Sequence, residues 1–173
     1  MVQFLSFLAN EGEVAAATQN LALNALVFFY KAVLECPLAE VAGVVLTRSE
    51  VAALLKQLEG EYWLMASLMY GSGLRVMECV RLRIKDIEFS QRAIIVRDGK
   101  GDKDRVTMLP DPLTPHLTAQ IEQARMVHQR DLEAGFGAVY LPHALERKYP
   151  NASKETGWQY VFPARKRSAE GKG

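Results

Sequence analysis

Two stretches carry side chains whose types and spacing could do chemistry. In GSGLRVMECVRL, residues 71–82, Arg75 follows a Gly-Ser-Gly turn and Glu78 stands three residues on. In VRDGKGDKDRV, residues 96–106, Lys100 sits between two glycines, with Lys103 and Arg105 after it. Each has an ordinary explanation. An i,i+3 ion pair on a helix is usually a solvated contact worth little. Glycines around a lysine at a hairpin tip need only turn chemistry. The other reading is that the turn holds Arg75 in place for a task the stretch itself does not name.

Several chemistries are excluded at once. A phosphate-cradling P-loop needs a glycine five positions before its Gly-Lys pair and a Ser or Thr after it; those places hold Ile94 and Gly101. The two cysteines, Cys36 and Cys79, form no CxxC, and HExxH is absent, so no metal site is expected. This cysteine usage reads as a reducing, cytosolic chain. The start, MVQFLSFLANEGE, lacks a basic region and a small-residue cleavage site, and the apolar runs are too short to span a bilayer. The net charge of +1 announces no polyanion partner, so such a signal must be local. It is present: from Arg75 to Arg105 there are nine Arg and Lys against six Asp and Glu.

The elements that must position these groups follow from periodicity. MVQFLSFLAN reads as a short amphipathic helix and TQNLALNALVFFYKAVL as a well-buried one, and Pro37 and Gly43 mark a boundary near 36–46. LTRSEVAALLKQLEG opens with Thr47 and Glu50 at capping-box spacing and is expected to end at Gly60. EYWLMASLMYG is apolar nearly all round, so it reads as a central helix, and a short helix follows to about Leu82. The β-branched run after it predicts three antiparallel strands, roughly 85–89, 92–97 and 104–109. A long amphipathic helix comes next in LTPHLTAQIEQARMVHQRDLEAG. Past Gly137 one short helix is expected, with Tyr149, Trp158, Tyr160 and Phe162 as aromatic anchors and a basic tail likened to a disordered segment. The fold class is mainly α with a small three-stranded antiparallel sheet.

The succession of Gly-Leu-Arg-x-x-Glu, a three-stranded sheet and a Gly-Lys-Gly-x-Lys-x-Arg hairpin resembles the tyrosine recombinase, or phage integrase, family. LTRSEV, LMYGSGLRVMECVRLRIKDIEF and IIVRDGKGDKDRVTMLP look like the first half of its catalytic domain. LPHALERKYPNA with GWQYVFP is similar to the extra segment of integron integrases, and FLSFLANE with ALNALVFFYKAVL looks like the last helices of their core-binding domain. The resemblance implies that residues 1–43 are a partial helical core-binding domain. Residues 44–163 would be the N-terminal part of the catalytic domain, with the integrase-specific segment at about 139–162, and 164–173 the basic tail.

In that family a tyrosine hydroxyl attacks a DNA phosphodiester, forms a 3′-phosphotyrosyl link and releases a 5′-hydroxyl. The bond energy stays in the link, so no metal or other cofactor is required. The resemblance implies that Arg75 clamps the non-bridging oxygens of the phosphorane, a task suited to a guanidinium fork at a helix start. Glu78 would orient Arg75, and Lys100 would protonate the departing oxygen as general acid. Lys103, Arg105 and Arg48 would contact the DNA backbone, or simply be solvated. The implied partner is DNA carrying integron sites, in a bacterial cytoplasm, with self-association possible but no stable tetramer expected.

The sequence also departs from the family. The His-x-x-Arg box is missing: His116 is followed three on by Ala119, His128 by Asp131 and His143 by Glu146. No tyrosine occupies the nucleophile's place, and Tyr140, Tyr149 and Tyr160 read as packing residues. The expectation is an incomplete integrase, inactive alone, with apolar surface of EYWLMASLMY exposed. Two alternatives remain at this point: a non-catalytic DNA-binding remnant, and an unrelated α+β interaction module.

Overall fold

The structure, a computed structural model, describes residues 47–97, 104–141 and 145–164. The two N-terminal helices, the hairpin tip with Lys100 and Lys103, and the tail from 165 lie outside the described residues.

The first described helix, α1 (Arg48–Leu55), begins where the capping pattern places it. The Thr47 N–H donates to Glu50 Oε2 at 2.6 Å, and the Glu50 N–H donates to Thr47 Oγ1 at 3.4 Å. Its end differs from expectation. α1 stops at Leu55, after which Gln57 and Leu58 N–H close tight bonds onto the carbonyls of Leu54 and Leu55. Gly60, expected as the stop, instead opens α2 (Gly60–Ser72) with φ +56°. The tight turn comes early because it carries Leu58 into the core, where it is 8% exposed.

α2 is the centre of the fold. Leu64, Met65, Ala66, Leu68 and Met69 are all buried, as its nearly uniform apolar sequence requires. The exposed apolar surface expected on this helix is therefore not found. Its faces are covered by α1, by α3 (Val76–Val80), by strand β3 (Arg105–Met108) and by the long helix α4 (Thr114–Glu133). Burying five such side chains contributes on the order of 1.5–3 kcal/mol each for the larger ones.

After α3 and a 3₁₀ turn at Ile84–Asp86 come β1 (Ile87–Glu88), β2 (Ala93–Val96) and β3 (Arg105–Met108). They form an antiparallel sheet in the order β1-β2-β3, with Ile87 opposite Ile94 and Val96 opposite Arg105. Each strand is shorter than its β-branched run because turns take the ends: residues 84–86 coil into the 3₁₀ turn, and Arg92 adopts φ +50° at the β1–β2 turn. α4 buries one stripe, Leu117, Ile121 and Ala124, against the core and leaves its opposite side in solvent.

Beyond Gly137 the chain forms α5 (Leu145–Lys148) and two 3₁₀ turns, Ala152–Lys154 and Thr156–Trp158. Val161 and Phe162 are buried, but Tyr149 is 49% exposed and Tyr140 is 74% exposed, so neither packs as expected. Polar side chains do that work instead. Gln120 Nε2 donates to the Val161 carbonyl at 3.0 Å, and Gln159 Nε2 donates to the carbonyls of Gly137 and Ser153. His128 Nε2 donates to the Lys154 carbonyl at 2.9 Å.

Candidate functional site

The turn before Arg75 is built by one glycine. α2 ends on Gly73 at φ 64° and ψ 32°, the left-handed conformation in which a Cβ is strained. Leu74 then drops fully into the core, and Arg75 turns extended at φ −74° and ψ 157°. α3 follows with only five residues, anchored by buried Cys79 and by Leu82 beyond it. Glu78, its third residue, reaches back so that Oε2 accepts the Arg75 N–H at 2.8 Å. That N–H is therefore not available to an incoming anion, and the anion-binding power of this helix start rests on the guanidinium.

Glu78 is not half of a solvated pair. Its side chain is 8% exposed and it receives two arginines. Arg75 Nη1 donates to Oε1 at 2.6 Å. Arg105, arriving from β3, donates Nη1 to Oε1 at 2.7 Å and Nη2 to Oε2 at 2.8 Å, the bidentate fork. With the Arg75 N–H, the carboxylate accepts four hydrogen bonds, its full complement. Burial pushes the Glu78 carboxyl upward in pKa. The bonds from Arg105, from the Arg75 backbone and from the Arg75 side chain outweigh this and hold it at about 2. Glu78 thus stays ionised throughout the neutral range. Two guanidinium charges face one carboxylate, leaving a surplus of one positive charge at a surface where both arginines remain more than a third exposed.

The expected roles divide accordingly. Arg75 and Glu78 are brought together. Arg105, expected on DNA or in solvent, is engaged on Glu78 and on the Gly73 carbonyl at 3.2 Å. Arg48 lies exposed at the first turn of α1. Lys100 and Lys103 lie outside the described residues.

Beside Glu78 opens a cleft of about 450 Å³, lined in part by Arg81, Arg83, Asp86, Arg97 and Tyr160. Sequence reasoning did not single out Arg83 or the Asp86–Arg97 pair. Arg97 Nε donates to buried Asp86 at 2.7 Å. Arg83 is 7% exposed, donates to the carbonyls of Trp158 at 2.6 Å and Tyr140 at 2.8 Å, and packs over the rings of Trp158 and Tyr160. Its partners lie 75 and 57 residues away, so no local pattern could have shown them. Lys85 Nζ lies 3.2 Å from the Trp158 ring centroid, and burial, with Arg97 adding to it, lowers its pKa.

Cys79 is fully buried, and burial pushes its thiol up to about 12, away from the reactive thiolate. In a Cys36→Ser background, a disulfide reagent should label the folded protein only as fast as it unfolds, and fully in guanidinium. Immediate stoichiometric labelling would show Cys79 to be accessible. Among the described residues no group of three metal-ligating side chains converges, and no helix is long and apolar enough to cross a membrane.

Comparison with known proteins bears on the site. The profile of the Phage integrase family matches residues 44–168, and that of the phage integrase N-terminal SAM-like domain matches residues 1–40. An integrase/recombinase from Escherichia coli is 46% identical over 170 residues, which cover 92% of this chain and 50% of that protein. The tyrosine recombinase XerA of Thermococcus onnurineus is 41% identical over 80 residues, 44% of this chain and 28% of the relative. A crystal structure of XerA recombinase superposes with a TM-score of 0.44 at 26% identity, covering 72% of this chain and 48% of that one. The chain spans about half the length of the E. coli relative.

Proposed function

The chain belongs to the phage integrase family, and on that premise we propose that it serves site-specific DNA recombination of the integron-integrase type. One observation carries this reading: a guanidinium, Arg75, is held at the protein surface by a buried carboxylate that a second arginine locks in place. Such a fixed fork suits the non-bridging oxygens of a phosphodiester, where negative charge gathers as the phosphorane forms.

In this reading Arg75 clamps the scissile phosphate and Glu78 orients it. Lys100 gives its proton to the departing 5′-oxygen, while Lys103 and Arg48 bind the DNA backbone. Residues 1–43 are part of the core-binding domain and 44–163 the first part of the catalytic domain. The segment at about 139–162, whose ALERKYPNA and GWQYVFP stretches carry the integron likeness, specifies the subtype. No His-x-x-Arg box occurs in these 173 residues, and in this reading none of the six tyrosines is the nucleophile, so these residues alone bind DNA without cleaving it.

Fluorescence anisotropy with two labelled duplexes tests the subtype, one carrying an integron recombination site and one its scrambled sequence. The site duplex should bind at least tenfold tighter, with no covalent adduct on denaturing gels. Equal affinity would remove the integron assignment, and an adduct would contradict the reading that these residues do not cleave DNA. Lys100→Ala should weaken binding modestly, as the loss of one charge near the backbone requires.

A further inference from the structure

We infer that Arg105 and Thr107 form a positioning pair on β3 that sets the orientation of Arg75, and that Arg105 acts through Glu78 rather than by contacting DNA. This rests on the reading of Arg75 as the phosphate clamp, and it gives Arg105 a positioning role in place of the DNA-backbone contact expected from its sequence.

Side chains two apart on a strand leave the same face. Arg105 and Thr107 are both partly buried, whereas Val106 between them is 69% exposed. The shared face of Arg105 and Thr107 meets the end of α2. Thr107 Oγ1 donates to the Ser72 carbonyl at 2.7 Å, and Arg105 Nη2 donates to the Gly73 carbonyl at 3.2 Å. These are two consecutive carbonyls of the turn that delivers Arg75. β3 is itself held in register by β2, with Ile94 opposite Thr107 and Val96 opposite Arg105. The turn is therefore fixed from the sheet side at two points, and Glu78 is fixed from the same strand at a third.

Donor use separates the two arginines. A guanidinium has five N–H donors. Arg105 directs Nη1 and Nη2 to three acceptors: both Glu78 oxygens and the Gly73 carbonyl. Among the described residues the Arg75 guanidinium makes one contact, to Glu78 Oε1. The fork with capacity for a bidentate phosphate is that of Arg75. Arg105 supplies the geometry: it pins both carboxylate oxygens, so the single oxygen left to share with Arg75 Nη1 sits at a defined point. A lysine could supply the charge of Arg105 but not the two parallel bonds.

A double-mutant cycle on DNA affinity, with a spectroscopic arm, tests this. The single Arg75→Ala and Arg105→Ala variants and their double are titrated with the same labelled duplex at several salt concentrations. If Arg105 acts through Arg75, Arg105→Ala weakens binding several-fold in the wild-type background and not at all in the Arg75→Ala background. If Arg105 holds a phosphate itself, the same fold-loss appears in both backgrounds and the salt slope of the double falls by about one more, which would overturn the inference. The conservative variant Arg105→Lys should behave like Arg105→Ala; full rescue by lysine would reduce the role to charge alone and overturn it too. Thr107→Val, which removes one turn contact while leaving every charge, should give a smaller loss that also vanishes without Arg75; a loss that persists without Arg75 would contradict its place in the pair.

The spectroscopic arm needs no DNA. In nitrogen-edited NMR the Arg75 side-chain signals should be sharp in the wild type and averaged in Arg105→Ala, with the Glu78 carboxyl titrating higher. Unchanged Arg75 signals in that variant would defeat the positioning role. Should Arg75→Ala leave DNA affinity untouched while these signals respond as expected, the DNA reading fails and the positioning of Arg75 stands.

Discussion

Replacing Glu78 by glutamine is expected to remove on the order of 2–3 kcal/mol of stability at pH 7. The carboxylate has its pKa lowered from 4.5 to about 2 in the folded state. A group whose folded pKa is depressed contributes stability that is complete above its unfolded pKa. That contribution is lost as the pH falls from about 4.5 toward about 2. Wild type and Glu78→Gln should therefore differ most above pH 5 and converge near pH 2, since a protonated glutamate and a glutamine offer Arg75 and Arg105 similar partners. Urea melts at pH 7, 4 and 2 check this. A constant difference across that range would mean that the loss comes from altered packing and not from the charge. The loss is large because Glu78 is buried and both guanidiniums would face each other with no anion between them.

Replacing Arg83 by alanine is expected to cost about 3 kcal/mol, lowering the melting temperature by roughly 10 °C. The mechanism is distinct. Arg83 makes its bonds to main-chain carbonyls, at Trp158 and Tyr140, and closes an isolated antiparallel bridge with Tyr160. Deleting it leaves two carbonyls without their donor and a gap between two aromatic rings. The segment from about 139 to 162 should loosen from the 3₁₀ turn at Ile84–Asp86 while α1, α2 and α4 stay folded. Amide exchange should show protection lost at Val161, whose N–H bonds the Leu82 carbonyl, and kept at Leu68 in α2. Equal loss at both would show that Arg83 supports the whole domain. Arg83→Lys should recover little, because a lysine cannot reach both carbonyls in one plane.

Local signals in the sequence and long-range contacts in the fold divide at these residues. The beginnings of elements were legible where the signal is local. Thr47 and Glu50 sit three apart and cap α1 as their types require. The uniform apolarity of α2 announced a buried centre, and the β-branched run gave three strands in the right order. Element ends were less legible. α1 closes at Leu55 because Leu58 must turn inward, a demand set by the core and not by any stop residue. The site itself was half visible. The spacing of Arg75 and Glu78 offered a pair, but the residue that makes Glu78 a buried hub lies 27 positions on, in a strand. Before folding, Arg105 looked the same as Lys103, one more cation after a hairpin. The exposed face expected on α2 was misjudged for a related reason. The residues that cover it come from β3 and α4, far along the chain.

In the stretch from about 139 to 162 the aromatic residues were evident in the sequence, but the means of its attachment was not. Tyr140 and Tyr149 drew attention as aromatics and are exposed, whereas Gln120, Gln159, His128 and Arg83 hold the segment through carbonyls. Polar anchors of main-chain groups carry no periodicity, so a sequence pattern cannot announce them.

The central claim is that Arg75 meets a DNA phosphate. The salt dependence of duplex binding by wild type and by Arg75→Ala tests it most directly. The account predicts that Arg75→Ala weakens binding and reduces the slope of log affinity against log salt by about one, the release of one phosphate counterion. An unchanged slope with unchanged affinity would contradict it and return Arg75 to the status of a helix-turn arginine paired only with Glu78.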